Sequence, residues 1–130
     1  MKLRNILLPL ALALTVGTAM AQSGTPTGTP AAVAAKIQLR GDANDLVIPE
    51  IRIVRRNDVM VVQADMKNTT ESNRTVFYRF RWLDSSGSQV GDGESWKQMT
   101  VLGHQIQTVK SVALHSSAVD FRIEMNVETQ

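Results

Sequence analysis

Cysteine is absent from all 130 residues. This excludes disulfides, thiolate metal sites and thiol nucleophiles, and also the lipid-modified cysteine that tethers many exported bacterial proteins to a membrane. Histidine occurs twice, at His104 and His115, so general-base chemistry has little material to work with. Aromatic residues number only six. No glycine-rich phosphate loop stands between a strand and a helix pattern, and beyond residue 21 no apolar run approaches the roughly 20 residues needed to cross a bilayer.

The first residues have a distinct character. Met1-Lys2-Leu3-Arg4 precedes an apolar run from Ile6 to Val16, interrupted by Pro9, and small residues follow up to Ala19-Met20-Ala21. This order is that of a secretory signal peptide, and cleavage is expected after Ala21. The expected mature chain loses Lys2 and Arg4, which leaves twelve basic side chains against twelve acidic ones. A balanced domain carries no electrostatic footprint for nucleic acid or an anionic bilayer. The expectation is a periplasmic protein with no stable membrane insertion and no nucleic-acid partner.

Residues 22–44 read as a flexible leader, because Gln22 to Ala32 offers Ser, Gly, Thr, Pro and Ala with no charge. Ala31 to Arg40 is compatible with a helical turn or two, which would be marginal in isolation. From Leu46 the period becomes two. Ile51 and Ile53 alternate with Glu50, Arg52 and Arg55; after Arg56-Asn57-Asp58, Met60, Val62, Ala64 and Met66 are interleaved with Val59, Val61, Gln63, Asp65 and Lys67, apolar on both sides at the start and polar on one side toward the end. These features predict a hairpin. Asn68 to Arg74 is a polar loop.

Val76 to Gly87 holds four of the six aromatics. Tyr78, Phe80 and Trp82 fall on one side of the expected strand, and Phe77, Arg79, Arg81 and Leu83 on the other. Asp84 to Gly93 contains three glycines and reads as a loop. Trp96–Val101 and Gln105–Val112 are further strands about a Leu102-Gly103-His104 turn. Finally Val119, Phe121, Ile123, Met125 and Val127 alternate with Asp120, Arg122, Glu124, Asn126 and Glu128. Six or seven short strands and no strong helix predict an all-β, immunoglobulin-like sandwich of antiparallel strands over residues 45–128. A small closed barrel is the alternative, but the glycines from Gly87 onward fall in turns or loops rather than at strand kinks.

No catalytic constellation emerges. Ser116 and Ser117 neighbour His115 only in sequence, in a stretch that reads as a turn. Met60, Met66, Met99, His104, His115 and Met125 are ligand types that suit copper, which gives a metal carrier as the second functional reading. The parity, however, sends Met60, Met66 and Met125 to the core face, so no metal site and no cofactor are assigned. The feature that points to function is the outer face of the aromatic strand. If the last strand lies beside it, Phe77, Arg79 and Arg81 join Asp120 and Arg122 in one patch. Cross-strand ion pairs on an exposed face contribute only about 0–1 kcal/mol each. Aromatic and Arg side chains together are what protein interfaces concentrate.

Tyr78-Arg79-Phe80-Arg81-Trp82-Leu83-Asp84 with Gly87, then Trp96, then Ala118-Val119-Asp120-Phe121-Arg122-Ile123 resemble, in order and spacing, the YcfL family of small bacterial envelope proteins. The likeness runs from about Asp45 to Asn126. It implies an immunoglobulin-like sandwich without an established activity and, through relatives encoded near activators of peptidoglycan synthesis, a place in envelope biogenesis. Members often carry a cysteine just after the signal sequence. This chain has none, so the resemblance does not extend to membrane tethering. The expectation is a non-enzymatic binding or scaffolding module whose partner is another envelope protein.

Overall fold

The computed structural model describes residues 28–130. The expected signal peptide and residues 22–27 lie outside that range. Strand patterning becomes seven strands: β1 (Ile37–Arg40), β2 (Leu46–Arg56), β3 (Val59–Asn68), β4 (Arg74–Leu83), β5 (Lys97–Val101), β6 (Ile106–Val112) and β7 (Asp120–Thr129). One helical turn, α1 (Ala31–Ala34), precedes them. The strands form two open sheets in the orders β1-β7-β4-β5 and β2-β3-β6, an all-β sandwich rather than a closed barrel. No helix among the described residues is long and apolar enough to cross a membrane.

The β2–β3 hairpin is set by its turn. Asn57 and Asp58 both adopt positive φ, 50° and 65°, the left-handed pair of a two-residue type I′ turn that Asn and Asp tolerate better than most residues. At the other end of β2, Pro49 coincides with a register shift between Val47 and Glu50. A residue without an N–H cannot continue the ladder as an ordinary one does, and it is accommodated at the bulge.

The expected inward residues form the core. Val62, Ala64, Met66, Val76, Phe80, Val101, Ala118 and Ile123 have no exposed surface. Phe80, Trp82 and Phe121 make an aromatic triangle with centroids 5.8, 6.4 and 6.3 Å apart, the spacing at which rings attract beyond simple burial. Phe80 sits between Arg79 and Arg81 on β4, so the strand that anchors the core also carries the basic outer face. Val119, expected inward, precedes β7 and is exposed.

The structure changes three expectations. First, β1 is a strand within the stretch whose composition reads as leader, and it runs parallel to β7, with Ile37 opposite Ile123 and Arg40 opposite Asn126. The sandwich is therefore not purely antiparallel. A chain entering at that edge can add a strand in either direction, because it has no tight hairpin connection to satisfy. Second, β5 and β6 are not a hairpin: Val101 pairs with Arg74 in one sheet, while Ile106 pairs with Lys67 in the other. Leu102–Gln105 is a corner between sheets. Third, the stretch expected as a polar loop, 68–74, begins in β3 and ends in β4, the corner rests on it, and its first residue, Asn68, is fully buried. Asn68 donates from Nδ2 to the Ser72 and Val101 carbonyls at 2.6 and 3.0 Å, and its Oδ1 accepts from the N–H and hydroxyl of Thr70. Gly103 must pass so close that a Cβ there would lie 2.3 Å from the Glu71 carbonyl oxygen.

Candidate functional site

Strands β4 and β7 are neighbours, so the condition for a shared patch is met. Leu83 lies opposite Asp120, Arg81 opposite Arg122, Arg79 opposite Glu124 and Phe77 opposite Asn126. All five proposed face residues, Phe77, Arg79, Arg81, Asp120 and Arg122, therefore stand on one surface. Strand β1 extends it with Gln38 and Arg40, and Lys36 precedes β1 beside Asp120.

The centre of the patch is Glu124, a residue expected on a solvated face. Its side chain is only 5 % exposed. Oε2 accepts from Arg79 Nε at 3.0 Å and from Arg40 Nη2 at 3.2 Å, and Arg81 Nε lies 3.4 Å from Oε1. Three guanidiniums thus surround one carboxylate. Buried carboxylates persist where such charge-assisted contacts replace water. Arg81 Nη1 also donates to Gln38 Oε1 at 3.2 Å, which helps it to stand opposite the like charge of Arg122.

A second carboxylate organises one end. Asp120 accepts from Lys36 Nζ at 2.7 Å, Arg122 Nη1 at 3.0 Å and the Phe121 N–H at 2.8 Å. Partial burial alone would raise its pKa, but these donors together hold it down at about 2. Trp96 closes the other end. Its ring lies 4.6 Å from the Arg79 guanidinium and 5.3 Å from that of Arg40, within cation–π range, yet the residue is 40 % exposed. Arg40, Phe77, Trp96, Asn126 and Glu128 line a shallow depression beside it. The face therefore gathers Lys36, Arg40, Arg79, Arg81 and Arg122 around two organising carboxylates. Each guanidinium has five donors, and the intramolecular contacts leave part of that capacity to solvent or a partner.

A different carboxylate works in the fold rather than on its surface. Strand β5 pairs β4 only from Arg74 to Tyr78, and beyond it Glu94 Oε2 accepts the Phe80 N–H at 3.1 Å, where a further strand would have offered a carbonyl. Glu94 Oε1 also accepts from Trp82 Nε1 and, through a short hydrogen bond, from the Ser111 hydroxyl on the opposite sheet. Burial and the nearby Glu94 charge raise the Tyr78 pKa. A cavity of about 360 Å³ opens above this tie, lined by Trp82, Val90, Glu94, Val112, Leu114 and His115 among others.

The remaining candidates are dispersed. Met60, Met66 and Met125 are in the core, and Met99 packs partly buried against it. Among the described residues no three His, Cys, Asp or Glu side chains come together as a metal site. His104 occupies the corner with φ 60°, its N–H donating to the Thr70 carbonyl. His115 lies in the turn before Ala118, and the Ser116 carbonyl accepts from Arg55. Sequence reasoning missed Lys36, Gln38, Arg40, Glu94, the place of Trp96 on this face and the central place of Glu124. Of these only Trp96 had a signal, an isolated aromatic at the margin of a predicted strand.

Comparison with known proteins places the chain. The family described as "Protein of unknown function (DUF1425)" matches residues 29–127, and the chain belongs to it. Among solved structures, Campylobacter jejuni cj0090 is similar with a TM-score of 0.62 at 18% identity, over 72% of this chain and 98% of that one. A DUF1425 family member from Shewanella sp. pv-4 is similar with a TM-score of 0.57 at 20% identity, over 62% of this chain and 75% of its own. At these identities the likeness is one of fold. A search of curated proteins finds no match.

Proposed function

We propose that the protein is a non-enzymatic binding or scaffolding module of the bacterial periplasm, exported by residues 1–21, cleaved after Ala21, and engaging another envelope protein through the outer face of the β1-β7-β4-β5 sheet. This reading also keeps the narrower YcfL likeness, which suggests an envelope role. The observation that carries it is the gathering of Arg40, Arg79 and Arg81 around buried Glu124 beside half-exposed Trp96. Pre-set guanidiniums flanking an aromatic ring lose little side-chain freedom on binding, which is the property of an interface anchor. The excess of cations selects a partner surface rich in carboxylates.

Capture from envelope extract on immobilised protein tests the reading. The expected result is one or more proteins retained at low salt, released at roughly 0.5 M salt, where the Debye length shrinks to a few ångströms, and lost with Trp96→Ala or Arg122→Ala. Retention unaffected by salt and by both substitutions would overturn it. The export step has its own check, since intact mass of periplasmic material should begin at Gln22 and show no lipid.

A further inference from the structure

Strand β2 is an outer strand of its sheet, and the pairing of its neighbour fixes which of its backbone groups face outward. On β3, the Met60 carbonyl accepts from Ala113 N–H at 2.9 Å and Asn68 N–H donates to the Gln105 carbonyl at 3.0 Å. Even-numbered β3 residues therefore bond toward β6, and odd-numbered Val59, Val61 and Gln63 toward β2. Their partners are Arg56, Val54 and Arg52. The N–H and C=O groups of Ile51, Ile53 and Arg55 consequently point off the sheet, and among the described residues no other backbone reaches them.

The two halves of this edge differ. Near its start Ile48 N–H is taken by Thr29 Oγ1 at 2.9 Å, and Pro49 has no N–H to offer. From Ile51 onward no such cover exists among the described residues, and Ile53 and Val54 are 49% and 47% exposed. An open edge with apolar side chains is a template for another strand.

We propose that this segment pairs antiparallel with the same segment of a second copy of the chain, about a two-fold axis at Ile53, so that two three-stranded sheets become one continuous sheet. An isologous contact of this kind needs a self-complementary sequence. Centred on Ile53, the axis sets Glu50 opposite Arg56 of the copy, Ile51 opposite Arg55, Arg52 opposite Val54, and Ile53 opposite itself. Every outward N–H and C=O from Ile51 to Arg55 then has a partner. Moving the axis by one residue sets Arg52 against its own copy or against Arg56, and like charges directly opposite are unfavourable. Moving it by two either brings Pro49 into the ladder or sets Arg55 against itself. The side chain of Arg55 is already turned back onto its own subunit, donating to the Ser116 and Ala118 carbonyls at 3.0 and 3.4 Å. The arginine face around Glu124 lies on the other sheet and stays open.

The absence of native cysteine makes the test direct. Directly opposed, hydrogen-bonded residues lie with Cα atoms about 5.5 Å apart, inside the roughly 4.4–6.8 Å that a disulfide spans. Under mild oxidation Ile53→Cys should link into a covalent dimer. Val54→Cys should link at least about tenfold more slowly, because its two copies stand two residues out of register and beyond disulfide reach. Unmodified protein should sediment as a dimer, Glu50→Lys should weaken it, and the double change Glu50→Lys with Arg56→Glu should restore it. All these positions are at the surface, and the charge-reversal series decides the matter should a cysteine variant misfold. A chain that stays monomeric, equal linking at both positions, faster linking at Val54, or failure of the double change to restore the dimer would overturn the proposal.

Discussion

On the three-stranded sheet one guanidinium lies between two carboxylates, whereas on the four-stranded sheet one carboxylate lies among three guanidiniums. Arg52 donates to both oxygens of Asp65 at 2.9 Å and to Glu50 at 3.0 Å, and Thr108 completes Asp65 with a hydroxyl at 2.7 Å. The Arg52 hydrogen bond, seconded by Thr108, lowers the Asp65 pKa, and the same bond raises that of Arg52. That cluster has no spare cation. Around Glu124 the proportion is reversed, and the surplus donors face outward beside an aromatic ring. Cross-strand charge pairing can close a surface or prepare one, and the ratio of donors to acceptors distinguishes the two.

The largest effect expected on the prepared face comes from beneath it. Phe80→Ala should destabilise by about 3–5 kcal/mol, because it removes a fully buried corner of the aromatic triangle. Denaturant unfolding measures this against Arg81→Ala, which should cost far less. Equal losses would mean that the arginine side of β4, not the phenylalanine side, is the core. Glu124→Gln should follow at about 1–3 kcal/mol, since it leaves a buried neutral group among three cations. On the opposite sheet Asp65→Asn, at a more exposed pair, should stay near 1 kcal/mol or less. The contrast between the faces fails if the two carboxamide variants unfold alike.

Acid sharpens the comparison further. Asp120 titrates at about 2 in the fold, below the ordinary carboxylate value of about 4. Its charged form therefore stabilises the native state fully above about pH 4, and that contribution is lost as the pH falls toward 2. The Asp120 carboxyl resonance should show a midpoint near 2 that moves upward in Lys36→Met. An ordinary midpoint in the unmodified protein would show that β1 does not hold Lys36 against β7.

What could be read in advance follows from where information is local. Alternation is clean over Phe121–Val127 and recognisable over Met60–Met66 and Val76–Trp82, and it fixes strands and their inward faces, since side-chain direction along a strand depends on parity. Which strands become neighbours is not local. The patch of Phe77, Arg79, Arg81, Asp120 and Arg122 was legible only on the condition that β4 and β7 pair. Strand β1 left almost no trace: Ile37 to Arg40 is four residues long, beside an alanine-rich turn, and its parallel pairing follows from no turn motif. Yet β1 supplies Arg40, and Lys36 precedes it, so the enclosure of Glu124 was hidden with it. Glu94 was hidden for another reason: its role is to replace a missing strand at Phe80 N–H, and a vacancy in a ladder has no sequence signature.

The smallest stability effect carries the most functional weight. Arg122 touches Asp120 and the Phe121 carbonyl but not Glu124, and its side chain is 29% exposed. Trp96 lies before β5 against the outer surfaces of Arg40 and Arg79. Arg122→Ala and Trp96→Ala should therefore each change stability by about 0.5 kcal/mol or less. If the face binds an acidic partner, the same substitutions should abolish capture from envelope extract, because an anchor's worth in a complex is unrelated to its worth in the free fold. Melting and capture on the same preparations read the two quantities separately. Loss of capture with an unchanged melting curve identifies a binding face, whereas intact capture would make the three guanidiniums around Glu124 a device for holding β1 to the sheet.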